Sequence, residues 1–116
     1  MINAQRFTQE WIEAWNSHDL DAVLSHYADD FQMSSPLIVQ LAGVASGTLR
    51  GKVDVRRYWE AGLERFPDLK FELLGTYAGA GGLAIHYKGP NGRQSVEVFR
   101  FDDSGLVTEA AAHYAA

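Results

Sequence analysis

The chain contains no cysteine, so disulfides and thiol chemistry are excluded and redox compartment is left undecided. Basic clusters are also missing. Ten Lys and Arg stand against fifteen Asp and Glu, and the net charge of -5 is spread along the chain. This argues against nucleic acid and against an anionic membrane surface as partners. No apolar run approaches membrane-spanning length, and Met1-Ile-Asn-Ala-Gln-Arg-Phe-Thr has no apolar leader segment, so a cytoplasmic location is expected. There is no internal repeat, linker or low-complexity stretch. At 116 residues the expectation is one domain, 1–116, with a single core.

Aromatic residues, by contrast, are plentiful: three tryptophans, five tyrosines and six phenylalanines. They either fill a core or line a pocket. Phe7, Trp11 and Trp15 recur at i, i+4, i+8, which predicts an amphipathic helix over residues 4 to 16 with a bulky stripe. Asn16-Ser17-His18-Asp19 breaks it. Asp19 then caps a second short helix carrying Leu20, Val23, Leu24 and Tyr27. His18 and His26 fall at exposed-looking positions, with no zinc-ligand spacing. Phe31 to Ser35 can form a strand. Residues 36 to 51 are neither charged nor periodic yet hold Leu37, Ile38, Val39, Leu41 and Val44, so this segment folds over something: a lid, a satellite cluster or a dimer contact. A third helix spans about residues 52 to 65, with Val55, Trp59, Leu63 and Phe66 on one face, and Pro67 ends it. Strands follow from Leu69 to Tyr77 and from Leu106 to Tyr114. In the latter, Ala110, Ala112 and Tyr114 share one side, where small residues would leave room for a ligand.

Between those strands, Leu83 to Phe101 reads as a hairpin around Asn91-Gly92, a pair that tolerates the positive φ of a two-residue turn. That register sets His86 directly opposite Glu97. An acid beside an imidazole in apolar surroundings is suited to proton transfer on a small molecule, each group shifting the other's pKa. If neutral, Glu97 donates a proton to a carbonyl oxygen while His86 accepts one from an adjacent carbon. If ionised, the two form a buried ion pair of structural use. The other hairpin face would then carry Ile85, Tyr87, Val96 and Val98, leaving apolar residues on both sides. Either a second copy of the chain covers that face, giving a homodimer, or the valines and tyrosine are there for strand propensity.

Helices first, then mostly antiparallel strands, is the order of an α+β fold in which a curved sheet wraps around helices. The stretch Trp11-Ile-Glu-Ala-Trp-Asn-Ser-His-Asp-Leu-Asp-Ala22, with Tyr27-Ala-Asp-Asp-Phe31, Gly51 to Tyr58 and Phe99-Arg-Phe-Asp-Asp-Ser-Gly105, resembles the nuclear-transport-factor-2-like superfamily. Within it, the chain is most similar to the SnoaL-like and ketosteroid-isomerase-like branch. The resemblance covers nearly the whole chain and implies a cone-shaped, mostly antiparallel sheet around three N-terminal helices, enclosing a pocket. It is specific for fold and weak for function, since the family hosts isomerases, cyclases, epoxide hydrolases and binding proteins.

Position by position, the resemblance implies a mixed site. Ser35 stands at the isomerase base position and cannot serve as a base unaided. Trp11 stands at the oxyanion-binding tyrosine, and its indole N–H donates one hydrogen bond. Glu97 retains the acid of that pair. Ala112 replaces the cyclase acid, and Ser95 replaces the arginine of the epoxide hydrolases. The functional expectation is acid–base catalysis without cofactor or metal on a small apolar carbonyl compound. Glu97 would act as general acid or oxyanion donor, His86 as base, and Trp11, Trp15, Tyr27, Trp59, Phe99 and Tyr114 as walls. The alternatives are a non-catalytic binding protein for an apolar ligand and a dimeric assembly module with a filled cavity.

Overall fold

The computed structural model describes residues 2–116. Its elements are α1 (Ala4–Asn16), α2 (Leu20–Leu24), β1 (Tyr27–Ser34), α3 (Pro36–Ala42), β2 (Thr48–Arg50), α4 (Lys52–Arg65), β3 (Glu72–Gly79), β4 (Gly82–Lys88), β5 (Gln94–Phe101) and β6 (Val107–Tyr114). The strands form one sheet in the order β2-β1-β6-β5-β4-β3. Neighbours are antiparallel except β1 and β6, which run parallel. The ends of the order, β2 and β3, do not meet, so the sheet curves without closing. Register shifts in β1, in β3 and between β5 and β6 supply local bends of the kind that extra residues introduce into a ladder.

The aromatic stripe of α1 lies against the concave face of this sheet. Phe7, Trp11 and Trp15 are all buried, and Trp11 packs on Phe71, Tyr87 and Phe99 with ring centroids 5.4–5.5 Å apart. Local chemistry fixes the ends of the helix. The Asn3 side chain accepts from Arg6 N at its start. At its end, Asn16 exchanges two hydrogen bonds with the Phe71 backbone, at 2.7 and 3.0 Å. Those bonds tie α1 to the approach to β3. Asp19 caps α2 by accepting from Ala22 N, as its sequence position predicts.

Three local expectations are corrected. Residue Tyr27 opens β1 rather than closing the second helix. The apolar stretch after Ser35 is not a loop throughout. It contains the helix α3, with Ser35 as N-cap, Pro36 in the first turn and Gly43 ending it at φ 69°, and then β2. Among the described residues there are thus four α-helices rather than three. His26 is half-buried, its ring edge-on to Phe7 at 5.3 Å, and burial lowers its pKa, with nearby Glu10 opposing.

Candidate active site

Between the concave face of the sheet and helices α1, α3 and α4 lies a cavity of about 190 Å³. Trp11 and Trp15 from α1, Tyr58 and Trp59 from α4, and Leu37 and Leu41 from α3 form much of its wall. The sheet contributes Met33, Tyr87, Ser95, Glu97 and Tyr114. The Gly89–Arg93 turn lies along its rim, with Asn91 and Arg93 among the lining residues. The segment expected to be a lid, a satellite cluster or a dimer contact supplies part of the cavity wall, through Leu37 and Leu41 of α3.

Glu97 is the acid of this cavity. It sits mid-strand in β5, paired with Ile85 on one side and Ala112 on the other, and is 5% exposed. Desolvation raises the Glu97 pKa from 4.5 to about 7, against the opposing effect of the Tyr87 hydroxyl. That hydroxyl donates to Oε1 at 3.2 Å. Burial favours the neutral acid because an ionised carboxylate loses its hydration. Four phenols surround it. Burial first, and Glu97 as a further cause, raise the pKa values of Tyr27, Tyr58, Tyr87 and Tyr114. All four therefore remain hydroxyl donors at neutral pH.

His86 does not join this site. Lys88 pairs with Gln94, His86 with Val96, and Ile85 with Glu97. Directly opposed residues share a face, so His86 lies on the convex side with Val96. Its Nε2 contacts Gln94 Oε1 at 2.9 Å. The cause is the turn. Asn91 and Gly92 do adopt positive φ, at 62° and 72°, but within a five-residue connection closed by Gly89 N–H donating to Arg93 O at 2.8 Å. A two-residue loop would have shifted the register by one, and a one-residue shift sends a side chain to the other face. By the same shift Ile85 and Tyr87 are buried inside, while Val96 and Val98 are on the convex side and exposed.

The remaining wall residues divide into two groups. Trp11, Trp15, Trp59 and Tyr114 line the cavity. Tyr27, Phe99 and Ala112 are buried but lie behind the lining. Tyr27 accepts from Trp11 Nε1 at 3.0 Å, so it fixes the indole that the resemblance placed at an oxyanion position, and that N–H points away from a ligand. Ser35 also stands behind the wall, holding Tyr58 and Tyr114 through its hydroxyl. Trp15 lines the cavity with its indole nitrogen buried and unpaired.

Sequence reasoning missed Tyr58, Tyr87 and Arg93. Tyr58 was legible, being three residues from Val55 and adjacent to Trp59 on the buried side of α4. Tyr87 required the correct hairpin register. Nothing in the sequence marked Arg93, whose guanidinium carbon lies 4.7 Å above the Tyr114 ring centroid. Among the described residues no three His, Cys, Asp or Glu side chains gather as a metal site, and no helix is long and apolar enough to cross a membrane.

The family model for the SnoaL-like domain matches residues 8–110, and the chain belongs to that family. A SnoaL-like protein of unknown function from Burkholderia thailandensis is 57% identical, with a TM-score of 0.93 over 97% of this chain and 94% of that one. At lower identity the likeness extends to fold alone. IdmH, a putative polyketide cyclase from Streptomyces antibioticus, is 19% identical with a TM-score of 0.79, over 97% of this chain and 92% of its own. AclR, a putative hydroxylase from Streptomyces galilaeus, is 23% identical with a TM-score of 0.75, over 97% and 74%. No curated protein matches the sequence.

Proposed function

We propose that this chain is a cofactor-independent acid–base enzyme acting on a small, mostly apolar carbonyl compound, with Glu97 as the proton carrier. The observation that carries this reading is a buried carboxyl with its pKa raised to about 7, inside an aromatic cavity of about 190 Å³. A group poised near working pH both gives and takes protons effectively. With His86 on the other face, one carboxyl must serve both steps. Glu97 gives its proton to the carbonyl oxygen, and the resulting carboxylate takes a proton from the adjacent carbon. The net change is keto to enol, with Glu97 restored as the acid. An isomerisation, cyclisation or dehydration begins with the same step.

A panel of small cyclic ketones in deuterated buffer tests it, with carbon-bound hydrogen exchange read by NMR. Exchange above buffer that disappears in Glu97→Gln supports the enzyme. Binding without exchange points to a non-catalytic carrier of apolar ligands, and neither binding nor exchange rejects both readings.

The convex face supports a second element of the proposal, a homodimer. Val98 is 42% exposed, Tyr77 60%, and Val96 also open, apolar groups on β5 and β3, the strands that flank β4. A second copy laid on this face would remove them from water. Light scattering should give twice the chain mass, reduced to one by Val98→Arg; a monomeric wild-type protein would refute the dimer.

A further inference from the structure

Arg93 stands where the Gly89–Arg93 turn enters β5. Its backbone is extended, at φ -68° and ψ 125°, and held at both polar groups: its N–H donates to Pro90 O at 3.3 Å, and its O accepts from Gly89 N–H at 2.8 Å. The side chain turns over the Tyr114 ring, with the guanidinium carbon 4.7 Å from the centroid, where the ring face attracts a cation. Both residues line the cavity, and among the described lining residues only Arg93 and Glu97 are of the Asp, Glu, Lys, Arg or His types. They are not partners of each other. No ion pair among the described residues includes Arg93, and the Glu97 carboxyl is shifted by desolvation and by the Tyr87 hydroxyl, without Arg93 as a cause. In the ladder Tyr114 pairs with Ser95 and Ala112 with Glu97. The ring beneath the guanidinium is therefore two residues along the strand from the acid, roughly 7 Å at the usual strand rise.

We infer that Arg93 is a specificity-determining residue at the rim, and that the ligand is a small keto acid whose carboxylate pairs with Arg93 while its apolar body fills the aromatic cavity. This rests on the acid–base reading proposed above and names the substrate class for it. The planar fork of guanidinium N–H donors matches the two oxygens of a carboxylate. One cation also suits one negative charge, which a carboxylate carries and a phosphate monoester exceeds. Arg93 is exposed, so water reaches the pair and neither partner has to be stripped of its hydration, unlike a charge brought to the cavity interior. The ligand's ketone then lies deeper, toward Glu97, with the carboxylate left at the mouth.

The probes are 4-oxo-4-phenylbutanoate and its primary amide, matched in shape and differing in charge. Each is titrated calorimetrically into the full chain at pH 6, where a carboxylic acid is ionised. Wild-type protein is expected to bind the acid about fivefold more tightly than the amide, the upper end for an ion pair that water reaches. Arg93→Gln should remove that preference, and Arg93→Lys should keep part of it, since lysine retains the charge and loses the fork. Equal affinity of the wild-type protein for both probes overturns the carboxylate subsite, without needing any variant to fold. It leaves the acid–base reading standing, because the amide still presents its ketone to Glu97. A preference that survives Arg93→Gln also overturns the subsite. So does an equal loss of both affinities in that variant, which would make Arg93 a structural cover for the Tyr114 ring. Failure of the wild-type protein to bind either probe overturns this subsite and the ligand-cavity reading together.

Discussion

Replacing Glu97 with glutamine should stabilise the protein, and by an amount that depends on pH. The carboxyl is 5% exposed, with its pKa moved from 4.5 to about 7 by desolvation. The folded state therefore holds a proton that the unfolded state releases between those two values. Stability falls wherever the folded state binds more protons than the unfolded one as pH rises. The loss begins near pH 4.5, accumulates toward pH 7 and is complete above it. At about 1.4 kcal/mol per pKa unit, the full penalty is roughly 3 kcal/mol. Glutamine keeps the size of the side chain and still offers an acceptor to the Tyr87 hydroxyl, but it has no charge to desolvate. Half-buried His26, whose pKa is lowered, works in the other direction, since its neutral form is favoured and stability falls as pH drops through its titration. That contribution is common to both proteins and cancels in their difference. Urea denaturation of wild type and Glu97→Gln at pH 4.5, 6 and 8 should give a stability difference that grows from near zero to roughly 3 kcal/mol. A difference that stays constant across this range would refute the burial of an ionisable carboxyl at this position.

Two further substitutions test the frame around the site. In Gly82→Ala the new Cβ would meet the Phe99 backbone carbonyl oxygen across β4 and β5, where neither strand can yield locally. Its stability should fall by about 1–3 kcal/mol or more, seen as a lower denaturation midpoint; a wild-type midpoint would show the strands are farther apart. Trp11→Phe removes the N–H that Tyr27 accepts, leaving a fully buried hydroxyl short of a partner at a cost of about 1–3 kcal/mol beyond the lost packing. Adding Tyr27→Phe should recover part of that loss, and a double variant no more stable than the single one would show that the hydrogen bond contributes little.

Much of the frame was legible because periodicity reports burial. The 3.6-residue spacing of Phe7, Trp11 and Trp15 gave α1 over residues 4–16, where it is found, and Val55 with Trp59 gave α4. Cap chemistry at Asp19 and positive φ at Asn91-Gly92 were likewise read correctly from residue type. What single-sequence reading could not supply was count. Whether two or five residues lie between the last paired positions of a hairpin is decided by the competing Gly89 to Arg93 closure, and a step of one residue reverses every face assignment. His86 was therefore placed inside and Tyr87 outside, the reverse of their positions. Glu97 kept its place because the resemblance, independent of the turn, assigned an acid there. The Ser35 cluster was invisible for a different reason, since its three hydroxyls come from positions 35, 58 and 114, and only the assembled sheet brings them together.

The most direct measurement is the titration of the Glu97 carboxyl itself, followed by carbon-detected NMR in glutamate-labelled protein with Glu97→Gln to assign the signal. A midpoint near pH 7 is predicted, with the carboxyl still protonated at pH 6 and available as an acid in the cavity. A midpoint near 4.5 would contradict it, leaving a carboxylate that is ionised and solvated at neutral pH and has no proton to give.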